Sequence, residues 1–367
     1  MPDKSQLMVD LGDRSYPIYI ESGLLKRIGE LFISHKIPTS SPILLVTDEN
    51  VAPLYLDSTI QVLHNSGYKV GSIVVPAGEK TKSLEMLDRI VEQALLDGLD
   101  RKSTIVALGG GVVGDLAGFA AASFMRGIRF VQVPTTILAH DSSVGGKVAV
   151  NHRLAKNIIG AFHQPEMVIY DLDTLLSLPI RDVRSGLSEV IKHGLIWDAS
   201  FVNWTSEHVE ELLALDLKAL QHALYEGCRI KSIVVSQDEK EGGLRAILNL
   251  GHTIGHALEA VASYNEMLHG EAIAVGMVGS AMLAVHAGAD KEILDTTRNL
   301  FEKFGLPTSI PSHMEIEAIL EAMQHDKKFS GGQMNFVLPT AIGSVEYNQP
   351  VQLNQVITVI KQLKGEQ

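Results

Sequence analysis

A single cysteine, Cys228, excludes an internal disulfide and any metal site built from several thiolates, and fits a reducing cytoplasm. Its thiol reads as packing. Positive charge is the scarcer sign: 31 Lys and Arg stand against 43 Asp and Glu, a net charge of -12. Nucleic acid and anionic membrane are therefore poor partners, and a small molecule is the expected one. The first residues, MPDKSQLMVDLGDRS, have no apolar core, so neither a signal peptide nor a transit peptide is expected. Repeats, linkers and low-complexity segments are lacking. Long uncharged runs are scarce too; the one at 272–289 is rich in Ala and Gly, contains His286 and follows His269 and Glu271 directly. It is expected to be a helix buried inside a helical domain and not a membrane span.

What is present begins as α/β. Residues 7–20 alternate around a Gly-Asp turn and predict a short hairpin at a sheet edge. Apolar runs at 42–47, 69–75, 103–108 and 130–134 predict strands, with helical stretches between them, one of them over 84–97 capped by Ser83. This βαβ alternation predicts a doubly wound sheet with ligands at the carboxyl ends of its strands. Gly109-Gly-Gly-Val-Val-Gly114 has the G-x-G-x-x-G spacing between a strand and a helix. Glycines there let a backbone approach a pyrophosphate, although a tight turn without ligand has the same spelling. No acid ends a strand twenty residues later, so Asp48 is the candidate for a ribose contact. The glycine-rich, polar segments 135–147 and 156–160 are expected to line a cleft. After about residue 176 helical periodicity takes over. The expected organisation is a Rossmann-like α/β dinucleotide-binding domain, 1–176, and an all-α metal- and substrate-binding domain, 177–367, with a possible small hairpin at 334–347.

Three histidines fall within eighteen residues, in Asn249-Leu-Gly-His252-Thr-Ile-Gly-His256 and Leu268-His269-Gly-Glu271. A helix puts His252 and His256 on one face, one turn apart. Such a pair suits two metal-bound imidazoles, but on an apolar helix it is by itself more often a buried histidine bonded to a carbonyl. The third histidine, Glu271 and the upstream Ser188-Glu189-Val-Ile-Lys192-His193 add up to the donors of a catalytic zinc site, two or three imidazoles and one carboxylate with a position left open. Cations recur inside the motif segments of this acidic chain: Arg126, Lys147, Lys156, Lys192, Lys231, Arg245 and Lys327. They suggest a substrate with several negative charges. A dinucleotide beside a metal suggests oxidation of an alcohol.

The motifs GGGVVGDLAGF, VPTTILAHDSSVGGKVAVN, KNIIGAF, SEVIKHG, LNLGHTIGHALE, LHGEAIAVGM and DKK, in this order, closely resemble the 3-dehydroquinate synthase family from about residue 42 to 340. The resemblance implies NAD in the N-terminal domain, zinc or cobalt as metal, a cytoplasmic homodimer, and conversion of 3-deoxy-arabino-heptulosonate 7-phosphate to 3-dehydroquinate. It implies Glu189, His252 and His269 as metal ligands, where spacing alone favours His252 with His256. Oxidation of the C5 hydroxyl would acidify the C6 proton, phosphate would leave by β-elimination, the hydride would return, and ring opening with aldol closure would give the carbocycle.

By the same resemblance Lys147, Asn157, His256 and Arg126 match phosphate contacts, with Arg126 reaching from a second subunit. Lys231, Arg245 and Lys327 or Lys328 match carboxylate and hydroxyl contacts, joined by Asp141, Lys192 and Asn249. Asp48, Asn50, Glu79, Lys82, Gly110, Gly111, Asp115, Thr135, Thr136, Lys147, Lys156 and Asp182 match NAD contacts. Lys147, Lys192, Arg245, Asn249 and His256 are the expected catalytic group. Departures from the pattern are small: Leu138-Ala-His140-Asp141 is one residue short, Ser188 and His193 replace the commoner Ala and Tyr, and Asp182 is the acid after Arg181. The competing readings are a related polyol dehydrogenase that releases NADH, a cyclase making another carbocycle, and a non-catalytic NAD- or metal-binding regulator. The first does not explain Ser142-Ser143-Val-Gly-Gly-Lys147 or the excess of cations.

Overall fold

The structure is a computed structural model that describes residues 5–262, 266–324, 329–330 and 333–366. The chain divides into two compact units: residues 1–178 with 220–236, and residues 179–219 with 237–367. Residues 220–236, which the sequence placed in the helical half, thus group with the first unit.

Among the described residues of the first unit nine strands form: β1 (Gln6–Val9), β2 (Tyr16–Glu21), β3 (Ile43–Asp48), β4 (Val70–Val75), β5 (Thr104–Gly109), β6 (Arg129–Pro134), β7 (Lys147–His152), β8 (Ala155–Phe162) and β9 (Met167–Asp171). Seven make one sheet in the order β1-β2-β9-β6-β5-β3-β4. The β1–β2 hairpin at its edge is antiparallel, as predicted, and every other pairing is parallel. Period-two geometry explains why the central strands β3, β5 and β6 carry apolar residues on both faces, with Thr47, Thr104 and Gln132 as the buried polar exceptions. Leu44, Val46, Ile105 and Ala107 join a core that includes Ile90, Leu116 and Ala120. Their neighbours Ile43, Leu45, Val106 and Leu108 join another, with Ile28, Phe32 and Leu63. Both faces of the sheet are covered by helices, so no residue of these strands needs to be polar.

The strand order reverses at β3. From it the chain passes to β4 on one side, then β5 pairs on the other. That switch point leaves the carboxyl ends of β3 and β5, Asp48 and Gly109, side by side at the place where doubly wound sheets bind ligands. Helix Gly111–Ser123 starts there, with Gly110 as its N-cap. Helix Leu84–Leu96 is capped as predicted, Ser83 Oγ accepting from the Met86 N–H at 3.2 Å.

The segments 135–147 and 156–160, expected to line a cleft, run into an antiparallel two-stranded ribbon, β7 with β8, which was not among the predicted strands. Val148 and Val150 alternate with Lys147 and Asn151 and are buried in the core next to Phe130, which anchors the ribbon.

The second unit is helical with a small sheet. Helix Ile180–Trp197, helix His252–Val261 and helix His269–His286 hold the histidine motifs. The expected hairpin at 334–347 is longer: β11 (Gln333–Ala341) pairs antiparallel with β12 (Ser344–Gln352), and β10 (Phe329–Ser330) adds to β11, so this unit is not wholly α. Helix His269–His286 is buried from Ala272 to Ala284, so the uncharged run is buried over most of its length but is exposed at 286–288, where the helix ends. Among the described residues no helix is long and apolar enough to cross a membrane.

Candidate active site

The metal-type cluster is assembled by three helix segments of the second unit. Glu189 sits mid-helix in Ile180–Trp197, His252 opens helix His252–Val261, and His269 opens helix His269–His286. Close backbone approach makes this possible. A Cβ on Gly270 would lie 1.9 Å from the Ser185 carbonyl oxygen, and one on Gly276 would lie 2.0 Å from the Gly251 carbonyl oxygen. Only glycine lets these segments touch backbone to backbone.

Ligand atoms of Glu189, His252 and His269 all lie within 4.8 Å of one another. Glu189 Oε1 is 3.5 Å from His269 Nε2 and 3.9 Å from His252 Nε2. The opposite nitrogens are held: His252 Nδ1 by the Leu250 carbonyl at 3.0 Å, His269 Nδ1 by Glu259 Oε2 at 3.0 Å. Both reserved alternatives for His252 thus hold at once, a carbonyl on one nitrogen and the cluster on the other. Two oriented imidazoles and one carboxylate, facing one another and leaving open positions, fit a divalent zinc-type ion.

The electrostatics agree. Burial, and then the Lys192 cation, push the His252 pKa well below the ordinary histidine value, so its ring is neutral. Burial also disfavours a charged His269, but Glu189 and Glu259 outweigh it and raise that pKa to about 10. A cation is wanted between those carboxylates, and a metal ion can replace the proton. Lys192 is buried and ion-paired with Glu189 Oε2. His256 is exposed, its ring 5.0 Å from that of His252 between centroids. Glu271 stands apart from the cluster: it accepts from the Leu268 N–H at 2.8 Å and pairs with Arg181 at 2.7 Å, capping its helix. Asp182, one residue from Arg181, lies in the first turn of helix Ile180–Trp197. Burial raises its carboxyl pKa. Arg245 is buried; its guanidinium Nη1 donates to the Glu239 carbonyl at 2.5 Å, and Asp238 accepts its N–H at 2.9 Å. Asn249 ends the same helical turn. Lys327 and Lys328 lie outside the described residues.

In the first unit a second constellation forms beside the switch point. Lys82, almost wholly buried, reaches Asp115 Oδ2 at 2.6 Å, Asn157 Oδ1 at 2.5 Å and Glu79 Oε1 at 3.8 Å. Burial raises the Asp115 pKa, and Lys82 opposes the shift. Asn151, which closes the motif VPTTILAHDSSVGGKVAVN without an assigned role, ties the group together. Its amide donates to Glu79 Oε1 and its oxygen accepts the Asn157 N–H, each at 2.8 Å. Asp48 Oδ1 accepts from the Asn50 and Val51 N–H groups at 2.8 and 3.1 Å, which fixes the β3 terminus. Thr135 and Thr136 follow β6, and the Thr135 N–H donates to Gly109 at 3.0 Å. Lys231 is buried against Asp141, Nζ to Oδ2 2.9 Å. Lys147 is exposed at the start of β7, and Lys156 is half-buried on β8. Arg126 is exposed, with a left-handed φ of 69°, beside a depression of about 590 Å³ that Arg101, Lys102 and Arg129 also line.

A parallel sheet with a glycine turn at its switch point, and a helical unit carrying a Glu-His-His cluster, define a nucleotide- and metal-dependent enzyme class. The chain belongs to the 3-dehydroquinate synthase family: residues 72–185 match the model of that family's N-terminal domain and residues 186–329 the model of its C-terminal domain. A 3-dehydroquinate synthase of Desulforamulus reducens is 49% identical over 97% of this chain and 99% of its own length. Among solved structures, a 2-deoxy-scyllo-inosose synthase complexed with carbaglucose-6-phosphate, NAD+ and Co2+ is 28% identical, with TM-score 0.90 over 97% of this chain and 99% of that one. A 2-epi-5-epi-valiolone synthase from Streptomyces hygroscopicus, with NAD+ and Zn2+ bound, is 25% identical, with TM-score 0.86 over 97% and 98%.

Proposed function

We infer that the protein converts 3-deoxy-D-arabino-heptulosonate 7-phosphate to 3-dehydroquinate and phosphate, as a carbon-oxygen lyase of the shikimate route to aromatic amino acids. NAD, when bound, takes and returns one hydride, and zinc or cobalt acidifies the substrate hydroxyls it holds. The reading is carried by the convergence of Glu189, His252 and His269 in a chain 49% identical to a 3-dehydroquinate synthase over nearly its full length.

Glu189, His252 and His269 hold the metal. Lys147, Asn157, His256 and Arg126 bind the substrate phosphate, which takes the C6 proton itself as it leaves; these residues orient it. Lys231, Arg245 and Lys327 or Lys328 take the carboxylate, and Asp141, Lys192 and Asn249 the hydroxyls. Lys192, already paired with Glu189, is suited to holding a hydroxyl beside the metal. Asp48, Asn50, Gly110, Gly111, Thr135 and Thr136 surround the switch point and serve NAD, together with Glu79, Lys82, Asp115, Lys156, Lys147 and Asp182. The Lys82 hydrogen bonds join NAD-side Asp115 to phosphate-side Asn157, so the two ligand sets share one buried cation. The protein acts in the cytoplasm as a homodimer, with Arg126 completing the partner's phosphate site.

Incubation with the heptulosonate phosphate, NAD and zinc is expected to yield phosphate and 3-dehydroquinate in equal amounts, identified by NMR. NADH accumulating with simple polyols, and no phosphate, would move the protein to the dehydrogenase reading.

A further inference from the structure

Behind one imidazole of the metal-type cluster stands a carboxylate that closes the motif LNLGHTIGHALE and has no role assigned from the sequence. Glu259 lies two turns beyond His252 and one turn beyond His256 on helix His252–Val261, so the three share a face. Its side chain is buried, and Oε2 is 3.0 Å from His269 Nδ1. We infer that Glu259 is a positioning residue for the metal centre: it accepts the Nδ1 proton of His269 and thereby presents the Nε2 lone pair to the ion. This rests on the reading that Glu189, His252 and His269 are the ligands.

The physical case has two parts. An imidazole whose Nδ1–H is taken by an acceptor has one tautomer and one ring orientation, and a charged acceptor also makes Nε2 more electron-rich. His252 has only the neutral Leu250 carbonyl in that role, so His269 is the stronger donor of the pair. Charge is the second part. The Lys192 ammonium on Glu189 offsets most of the negative charge that the ligand set offers an ion. Glu259 restores one negative charge without occupying a coordination position.

Glu259 also lies with His256 and His269 in a group whose ligand atoms fall within 4.8 Å, so a second ion is the competing role. Such an ion would need His269 Nδ1, the nitrogen that Glu259 meets at hydrogen-bond distance.

Full-length protein and its Glu259→Ala and Glu259→Gln variants decide the matter through zinc affinity by chelator competition, ions bound per chain, and the visible absorption of the cobalt form. The wild type is expected to bind one ion per chain. Glu259→Ala is expected to lose zinc affinity about 10- to 100-fold, with an altered cobalt spectrum and unchanged NAD binding. In Glu259→Gln the amide oxygen still accepts the Nδ1 proton but brings no charge, so a smaller loss is expected. Wild-type affinity and spectrum in Glu259→Ala would overturn the inference, as would two ions in the wild type and one in the variant. If Glu259→Ala does not fold, wild-type affinity in the near-isosteric Gln variant overturns it. A wild type that binds no metal would sink the ligand assignment itself, a distinct result.

Discussion

At the scale of single residues, charge decides what the site can hold. Without metal, His269 keeps its proton up to about pH 10 because Glu189 and Glu259 flank it. The ion must displace that proton, so apparent zinc affinity should rise with pH, by about tenfold per unit between pH 6 and 8. The stability of the metal-free protein has the opposite dependence. The raised pKa contributes stability fully below the ordinary histidine value near 6.5, and that contribution is lost as pH rises through about 10. Titration calorimetry in buffers of different ionisation enthalpy would report the released proton; none released at pH 7 would contradict the account. Cys228 gives a simpler test. Burial pushes its thiol pKa up to about 12, so the folded protein should not react with a disulfide reagent at pH 8, and should react once denatured. His252, His269 and Glu189 were recognisable in sequence because the motifs that carry them are contiguous. Glu259 and Asn151 close two of the family motifs yet had no readable role, since a buried acid on a helix and an amide on a strand are ordinary residues until the fold aims them.

Elements put these residues in register, and glycines set how closely. Gly270→Ala would drive a Cβ against the Ser185 carbonyl, in the helix that carries Glu189. The expected cost is about 1–3 kcal/mol, seen as a lower denaturant midpoint, together with weakened zinc binding because His269 is its neighbour. Ser83→Ala removes an N-cap far from the metal cluster's residues in sequence, and should cost about 1 kcal/mol with zinc affinity unchanged. The sheet was legible because β3 and β5 carry apolar residues on both faces and β6 interrupts such a run only at Arg129 and Gln132. The β7–β8 ribbon was not. Val148 and Val150, with Ile159 and Ala161, mark its packed side, but the lysines and glycines around them carry the composition of a loop.

At the scale of the whole molecule, the net charge argued against nucleic acid as a partner, while the second subunit was suggested only by the family resemblance. Arg126 tests that suggestion. If it completes the partner's site, Arg126→Ala and Lys147→Ala should each be nearly inactive alone. Denatured together and refolded, they should recover about one quarter of wild-type activity, since half the dimers would be mixed and each would carry one intact site. No recovery would place Arg126 in its own subunit's site or in none. The division of the chain is harder to read in sequence. Residues 220–236 belong to a helix whose periodicity resembles that of the second unit, yet Lys231 on it pairs with Asp141 in the first. Only the pairing of a buried lysine with a distant aspartate tells the two cases apart.

The central claim is a redox-neutral reaction in which NAD is used catalytically. It is tested most directly by phosphate release from the heptulosonate phosphate by metal-stripped protein with substoichiometric NAD, before and after zinc or cobalt is added. The account predicts many turnovers per NAD, restored only by metal. One phosphate or fewer per NAD, with NADH left behind, would contradict it.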